Sequence, residues 1–366
     1  MMGHPRAALP QYSRIVPAWR IEATRLPEGE PVEAGITGAG HWTSQPPAGA
    51  ERLPGRFVLP GLVDAHCHLS VAAGPDGWPV ALSADDALAN LVRARENGVT
   101  AIRDTGSPAS VTLELLASEP DLVACGRFLA PPGRYFPALH EPVPPENLVD
   151  AALAEVAAGA RWVKLVADFP LLRPDEPPQA PAPSYELADI RRMVEAVHAA
   201  GARVAAHTTT RYVTELIDVG IDSVEHGTSV EEADLTALVE RGGAWTPTLC
   251  ATLGAGPAAN DTPQQAEIRE RLTYLLPLAV ERGVVVMTGT DVAGTIPQEV
   301  ALLARLGLPP AAALAAATTR ARRFLGRTDL VDGEPADLVS YDDDPRDDPA
   351  VLSRPVAVVV RGVRIR

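Results

Sequence analysis

Short apolar, β-branched runs alternate with alanine- and leucine-rich stretches through most of the chain. The runs cover 57–63, 100–103, 122–129, 162–166, 203–206, 223–225, 244–249 and 284–287. Continuous apolar runs of this length predict strands buried on both faces. Stretches with helical period lie between them, at 83–97, 108–118, 146–159, 185–200, 210–219, 230–241 and 263–282, and a last helical region covers 297–325. Gly98, Gly201, Gly220 and Gly283 stand just ahead of strands, where a helix ends in a left-handed cap. Strands alternating with helices in this way predict an α/β protein of the closed parallel (β/α)8, or TIM, barrel type. The competing open doubly wound sheet would carry a glycine-rich phosphate turn after its first strand, and none is present.

The two ends break this pattern. Residues 1–57 are rich in Pro, Gly and Arg, with short β-like runs such as Ile15-Val16-Pro17-Ala18-Trp19, and Val356-Ala357-Val358-Val359-Val360 has strand character near the other end. The expected division is a barrel over 58–326 and a composite β domain made from 1–57 and 327–366. Proline-rich stretches at 131–145 and 173–183 follow the third and fourth strands. Proline fixes φ and removes a donor, so these are long ordered loops. Loops after barrel strands overlie the active face, so these are expected to form a lid, to wall the substrate pocket, or to be surface insertions without function.

Composition narrows the class. With 366 residues the chain can build a barrel of about 250 residues plus an accessory layer. Aromatic residues make up 4%, so small aliphatic side chains must fill the core. A formal net charge of −15 favours solubility and repels phosphate backbones, which argues against nucleic acid as a partner. The acidic cluster Asp342, Asp343, Asp344, Asp347 and Asp348 lacks the glycine and closing glutamate of a calcium loop and reads as a solvated turn. Cys67, Cys125 and Cys250 are too few and too scattered for a disulfide framework or a zinc knuckle, which suits a reducing cytoplasm. No signal-peptide core or membrane-length apolar run is present, so neither secretion nor membrane spanning is expected.

Candidate chemistry lies at the ends of the strands. His66 and His68 follow the first run, and residues two apart on a strand face the same way. Lys164 sits within the fourth run, His207 and His226 end the fifth and sixth, and Asp291 follows the eighth. In a parallel barrel these ends meet on one face, so residues far apart in sequence form one metal-binding cluster. Taken singly, each has a plainer explanation: a loop histidine, a snorkelling lysine, an N-capping aspartate. An ammonium at Lys164 beside dications would be very unfavourable. Burial and positive neighbours depress its pKa, and a neutral amine can add carbon dioxide to become an anionic carbamate whose oxygens bridge two metals.

These residues resemble the amidohydrolase superfamily, in the branch similar to imidazolonepropionase and the metal-dependent Xaa-Pro dipeptidases. The likeness runs from about residue 55 to the C-terminus. It rests on Leu59-Pro60-Gly61-Leu62-Val63-Asp64-Ala65-His66-Cys67-His68-Leu69, Gly98-Val99-Thr100-Ala101-Ile102-Arg103-Asp104 and Gly159-Ala160-Arg161-Trp162-Val163-Lys164-Leu165. It continues through His207, Gly220-Ile221-Asp222-Ser223-Val224-Glu225-His226-Gly227-Thr228, Thr288-Gly289-Thr290-Asp291, Ala316-Ala317-Thr318 and Gly333-Glu334-Pro335-Ala336-Asp337-Leu338-Val339.

The resemblance implies a barrel with a small β-sandwich built from both chain ends. It implies that His66, His68 and Asp291 hold one divalent metal, that His207 and His226 hold a second, and that carboxylated Lys164 bridges them. Zinc is the usual metal, and its ligand preference fits. The implied reaction is attack of an activated water on a C–N amide-type bond, with Asp291 as general base and then general acid. Many relatives carry a Gly-Gly-His element after the third strand. Here the nearest histidine is His140, expected as an electrophile that stabilises the oxyanion or as a substrate contact.

The expected substrate is a small molecule: a dipeptide including Xaa-Pro, an N-acyl amino acid or a cyclic amide. Arg134, Tyr135, Thr208, Arg211, Tyr212, Trp245 and Thr248 are candidates for the pocket wall, with Arg134 or Arg211 pairing a substrate carboxylate. A lactonase or deaminase on the same barrel and a catalytically inactive binding scaffold are the alternatives. A homo-oligomer is compatible with this reading.

Overall fold

The computed structural model describes residues 17–75, 77–119 and 121–366. Of the expected N-terminal run, Ile15 and Val16 lie outside the described residues, and a strand begins at Trp19. Along Trp19–Arg25, Trp19 and Ile21 are buried while Arg20 and Glu22 are exposed, the alternation of a strand with one face packed. It belongs to an eight-stranded sheet made from both chain ends. In that sheet Ala357–Val360 pairs with Leu338–Tyr341, which pairs antiparallel with Phe57–Pro60. Phe57–Pro60 in turn runs parallel to Trp19–Arg25. Trp19, Ile21, Ile36, Trp42, Leu338 and Val359 form an apolar cluster of their own beneath it.

The expected first strand, 57–63, is two strands. Phe57–Pro60 lies in the terminal sheet, and Leu62–Cys67 pairs in parallel with Val99–Asp104. The switch falls at Gly61, where any Cβ would collide with the side chain of Thr100. This close approach is a tertiary fact that an apolar run cannot reveal. It also places His66 inside a strand instead of beyond its end.

Two parallel sheets form the centre. One orders Leu122–Ala124, Val99–Asp104 and Leu62–Cys67; the other orders Phe128–Leu129, Trp162–Val166, Arg203–Thr208, Ser223–His226, Ala244–Thr246 and Val285–Val286. The expected strand 122–129 contributes one short piece to each sheet. On the far side, Ala65 N donates to Thr288 O (2.9 Å) and Asp291 N to His66 O (2.6 Å). Every residue of Leu62–Cys67 and of Trp162–Val166 is buried, as the unbroken apolar runs predicted.

The helices follow the periodic stretches, with three departures. The stretch 108–118 forms a 3-10 segment, Pro108–Leu115, with Ala109 and Ser110 in left-handed conformation. The region 297–325 forms three helices, Ile296–Arg305, Pro310–Ala316 and Thr319–Phe324. The helix expected from 210 begins at Val213, because the buried carboxylate of Asp168 holds the preceding turn. Asp168 accepts from the hydroxyls of Thr208 (2.5 Å), Thr209 (3.1 Å) and Thr210 (2.9 Å) and from the Thr209 backbone N–H (2.9 Å). Helices Val213–Val219 and Pro263–Arg282 end at Gly220 and Gly283, both in the expected left-handed cap.

Candidate active site

The parallel strands bring the six polar residues of the sequence reading together. The Lys164 amine lies 3.5 Å from His66 Nε2. The ring centroid of His226 is 5.0 Å from that of His66 and 4.4 Å from that of His207. His68 lies 5.3 Å from His66, centroid to centroid, and its Nε2 is 3.3 Å from Asp291 Oδ1. Candidate ligand atoms of His66, His226 and Asp291 all fall within 4.8 Å of one another.

Hydrogen bonds orient three of the imidazoles alike. His66 Nδ1 meets Glu225 Oε2 at 2.7 Å, His68 Nδ1 meets Gly106 O at 2.8 Å, and His226 Nδ1 meets Thr248 Oγ1 at 2.7 Å. A carboxylate or carbonyl only accepts, so Nδ1 carries the proton in His66 and His68. The Thr248 hydroxyl donates to Pro247 O (2.9 Å), which leaves its oxygen to accept from His226. In the neutral ring each Nε2 then offers a lone pair, the arrangement in which histidine binds a cation.

Electrostatics agree with this. Burial, then the charge of Lys164, pushes His66 down to about 3 and His207 down to about 4. Burial and the neighbouring His207 and His66 hold His226 well below its usual value. Burial lowers Lys164. Burial opposes ionisation of Asp291, but its contact with His68 and the other imidazoles around it outweigh that and hold the carboxyl below the usual range. The cluster therefore combines neutral nitrogen donors with one firm anion, a set that suits a divalent cation of zinc type.

Backbone geometry is specialised at the same place. His226, Thr248 and Asp291 adopt φ of 65°, 45° and 55°, a left-handed conformation uncommon outside glycine that tends to gather at functional sites. A Cβ at Gly289 would lie 2.6 Å from that of His66, so only glycine lets this loop pass. Asp64 ties the His66 strand to the same loop, accepting from Thr290 Oγ1 at 2.6 Å and from Thr290 N at 3.1 Å.

Two residues that carry no role in the sequence reading support His66. Glu225 receives Arg103 Nη2 (2.7 Å) and the Ser223 hydroxyl (2.6 Å) in addition to His66. Burial would raise its pKa, but Arg103 and His66 outweigh that and keep it ionised. Arg103 is itself fully buried, donates through Nε to Ala65 O (2.6 Å) and packs over Trp162 at 4.5 Å. The available signal was a charged residue inside each apolar run. Removing one partner of a buried pair strands the other charge. Arg103→Met is expected to destabilise the fold by about 3–5 kcal/mol; an unchanged urea midpoint and slope would disprove the dependence.

The expected pocket-wall residues divide. Tyr135 is buried, and Arg134 donates Nη1 to Phe169 O at 2.8 Å. Thr208 is taken up by Asp168, Thr248 by His226, and Trp245 lies fully buried with its indole N–H on His226 O (2.9 Å). Arg211 is exposed and paired with Glu231. The Tyr212 hydroxyl donates to Tyr185 O (3.1 Å). His140 is half-buried, with Nδ1 3.0 Å from Phe136 O. Cys67, Cys125 and Cys250 are buried and unpaired. No helix among the described residues is long and apolar enough to cross a membrane.

Parallel strands that deliver such a donor set to their C-terminal ends define an enzyme of hydrolytic type more readily than a binding module. The model of the amidohydrolase family matches residues 57–365, and the chain belongs to that family. It is accordingly a hydrolase of the class acting on carbon–nitrogen bonds. An uncharacterized protein of Mycobacterium tuberculosis (strain H37Rv) is 36% identical over 358 residues, covering 93% of this chain and 94% of that protein. Imidazolonepropionase of Micrococcus luteus is 28% identical over 239 residues, 53% of each chain. A crystal structure of a Xaa-Pro dipeptidase with bound methionine superposes with a TM-score of 0.79 at 20% identity, over 95% of this chain and 100% of that one.

Proposed function

We propose that this chain is a binuclear metal-dependent amidohydrolase that cleaves an amide-type bond in a small molecule. His66, His68 and Asp291 would hold one divalent ion and His207 and His226 the other, with zinc as the first choice. Lys164 would bridge them as a carbamate: its neutral Nζ attacks carbon dioxide, forms the N–C bond and releases one proton. The observation that carries this reading is the shared orientation of His66, His68 and His226, each with Nδ1 bonded outward and Nε2 left free beside Lys164 and Asp291. When bound, the ions would activate a water and polarise the substrate carbonyl.

The chain's own groups supply the rest. Asp291, ionised and 3.3 Å from His68 Nε2, accepts the proton of the attacking water and passes it to the leaving nitrogen. Glu225 fixes the ring of His66, and Thr248 that of His226. Arg134 keeps guanidinium donors beyond its bond to Phe169 O that can meet a substrate carboxylate, which favours a dipeptide, including Xaa-Pro, or an N-acyl amino acid. We read the two parallel sheets as one closed (β/α)8 barrel within 58–326, joined through the hydrogen bonds from Ala65 and Asp291. The terminal sheet would form the β-sandwich domain of 1–57 and 327–366, with the changeover at Gly61.

The test is metal analysis with a substrate panel. Purified protein should carry close to two metal ions per chain, lose hydrolysis on chelation and regain it with added zinc. The panel covers dipeptides, N-acyl amino acids, cyclic amides and lactones, and amine release is scored against ammonia release to separate amide cleavage from deamination. Protein that stays metal-free and cleaves none of these after loading would overturn the proposal.

A further inference from the structure

Glu299 is a fully buried acidic side chain on the helix Ile296–Arg305. Its carboxyl reaches across to the turn Leu249–Leu253. Oε2 accepts the Leu249 N–H (3.0 Å), and Oε1 accepts the Cys250 N–H (2.6 Å). With one oxygen on each of two consecutive N–H groups, the carboxyl fixes both the position and the tilt of that stretch of backbone.

The residue just before the turn is Thr248, whose φ is 45°. A β-branched residue in this region is an outlier, and it persists only where its surroundings impose it. Glu299 imposes it from one side by gripping the two residues that follow. On the other side Pro247 brings a φ fixed by its ring. A Cβ at Gly294 would lie 2.5 Å from Cys250 Cβ and Sγ, so the loop beyond Asp291 presses on the same turn.

This conformation aims the Thr248 hydroxyl. It donates to Pro247 O (2.9 Å) and accepts from His226 Nδ1 (2.7 Å). A rotated Thr248 would carry its oxygen away from the imidazole. His226 would then lose the bond that sets its tautomer and ring direction.

Resting on the metal-site reading above, we propose that Glu299 is a positioning residue for His226. It acts through Thr248, and so governs the affinity for the ion that His226 shares with His207.

The test is a double-variant cycle on Glu299→Gln, Thr248→Val and their combination. Zinc binding to chelated protein is measured by calorimetry, and melting temperature is recorded beside it. An amide offers one acceptor oxygen in place of two, and valine keeps the shape of threonine without its hydroxyl. Each single variant should weaken one of the two zinc ions by about 10–100-fold and leave the other little changed. The combination should lose no more than Thr248→Val alone, because both act along one path. If Glu299→Gln does not fold, Glu299→Asp, which withdraws the carboxyl by one methylene, takes its place in the cycle. A purely structural glutamate would lower the melting temperature and leave both affinities intact. That result, a loss shared equally by both ions, or losses that add in the combination would overturn the assignment. Failure of the metal-site reading looks different: the wild-type protein itself would then bind no pair of zinc ions.

Discussion

Asp291→Asn is expected to fold normally and to lose between about 10² and 10⁴ in kcat. The substitution leaves the backbone contacts in place, since Asp291 N bonds to His66 O and the strand bridge to Cys67 is a main-chain feature. Asparagine also tolerates the left-handed conformation found at this position, φ 55°, better than most residues, so little strain is added. What disappears is the anion. A carboxamide cannot take a proton from water near neutral pH or return one to a leaving nitrogen, and it is a weaker metal ligand. The measurement is kcat alongside thermal unfolding of the variant. A melting temperature within a few degrees of wild type together with normal turnover would remove Asp291 from the proton path.

The second large effect is expected at Lys164. Lys164→Met should reduce hydrolysis to background and lower the bound metal below two ions per chain, while the metal-free protein becomes no less stable. Lys164 is 1% exposed, and its amine makes one hydrogen-bond contact among the described residues, with His66 Nε2 at 3.5 Å. Burial disfavours the charged amine, whereas a thioether of similar length fills the same space without that penalty. A purely structural lysine would show the reverse pattern, with lower stability and intact activity. Plasma mass spectrometry for metal and calorimetric unfolding after chelation separate the two. Full metal content and normal turnover in Lys164→Met would end the bridging proposal.

The cluster was legible in the sequence because each member stands in or just after an apolar run, and parallel strands bring the ends of such runs to one face. His66, Lys164, His207 and His226 needed only the period-two rule and the strand order. The supporting layer was less legible. Arg103 and Glu225 stand inside the quoted motifs, but their mutual contact joins two strands that are not sheet neighbours, and only folding shows it. The late start of the helix at Val213 depends on Asp168, some forty positions earlier in the chain, gathering Thr208, Thr209 and Thr210. Arg211 read either as a substrate clamp or as a solvent-facing residue at the start of a helix, and its exposed pairing with Glu231 is a tertiary contact that spacing does not carry.

The pairing of Phe57–Pro60 with Leu338–Tyr341 has a consequence for the order of synthesis. The strand bearing His66 continues directly from Phe57–Pro60, whose partner Leu338–Tyr341 is synthesised only after His66, Lys164, His207, His226 and Asp291. Until that partner is made, the sheet from which the histidine strand continues has an open edge. A premature stop between Asp291 and Leu338 would therefore leave Phe57–Pro60, and the histidine strand that follows it, without this pairing.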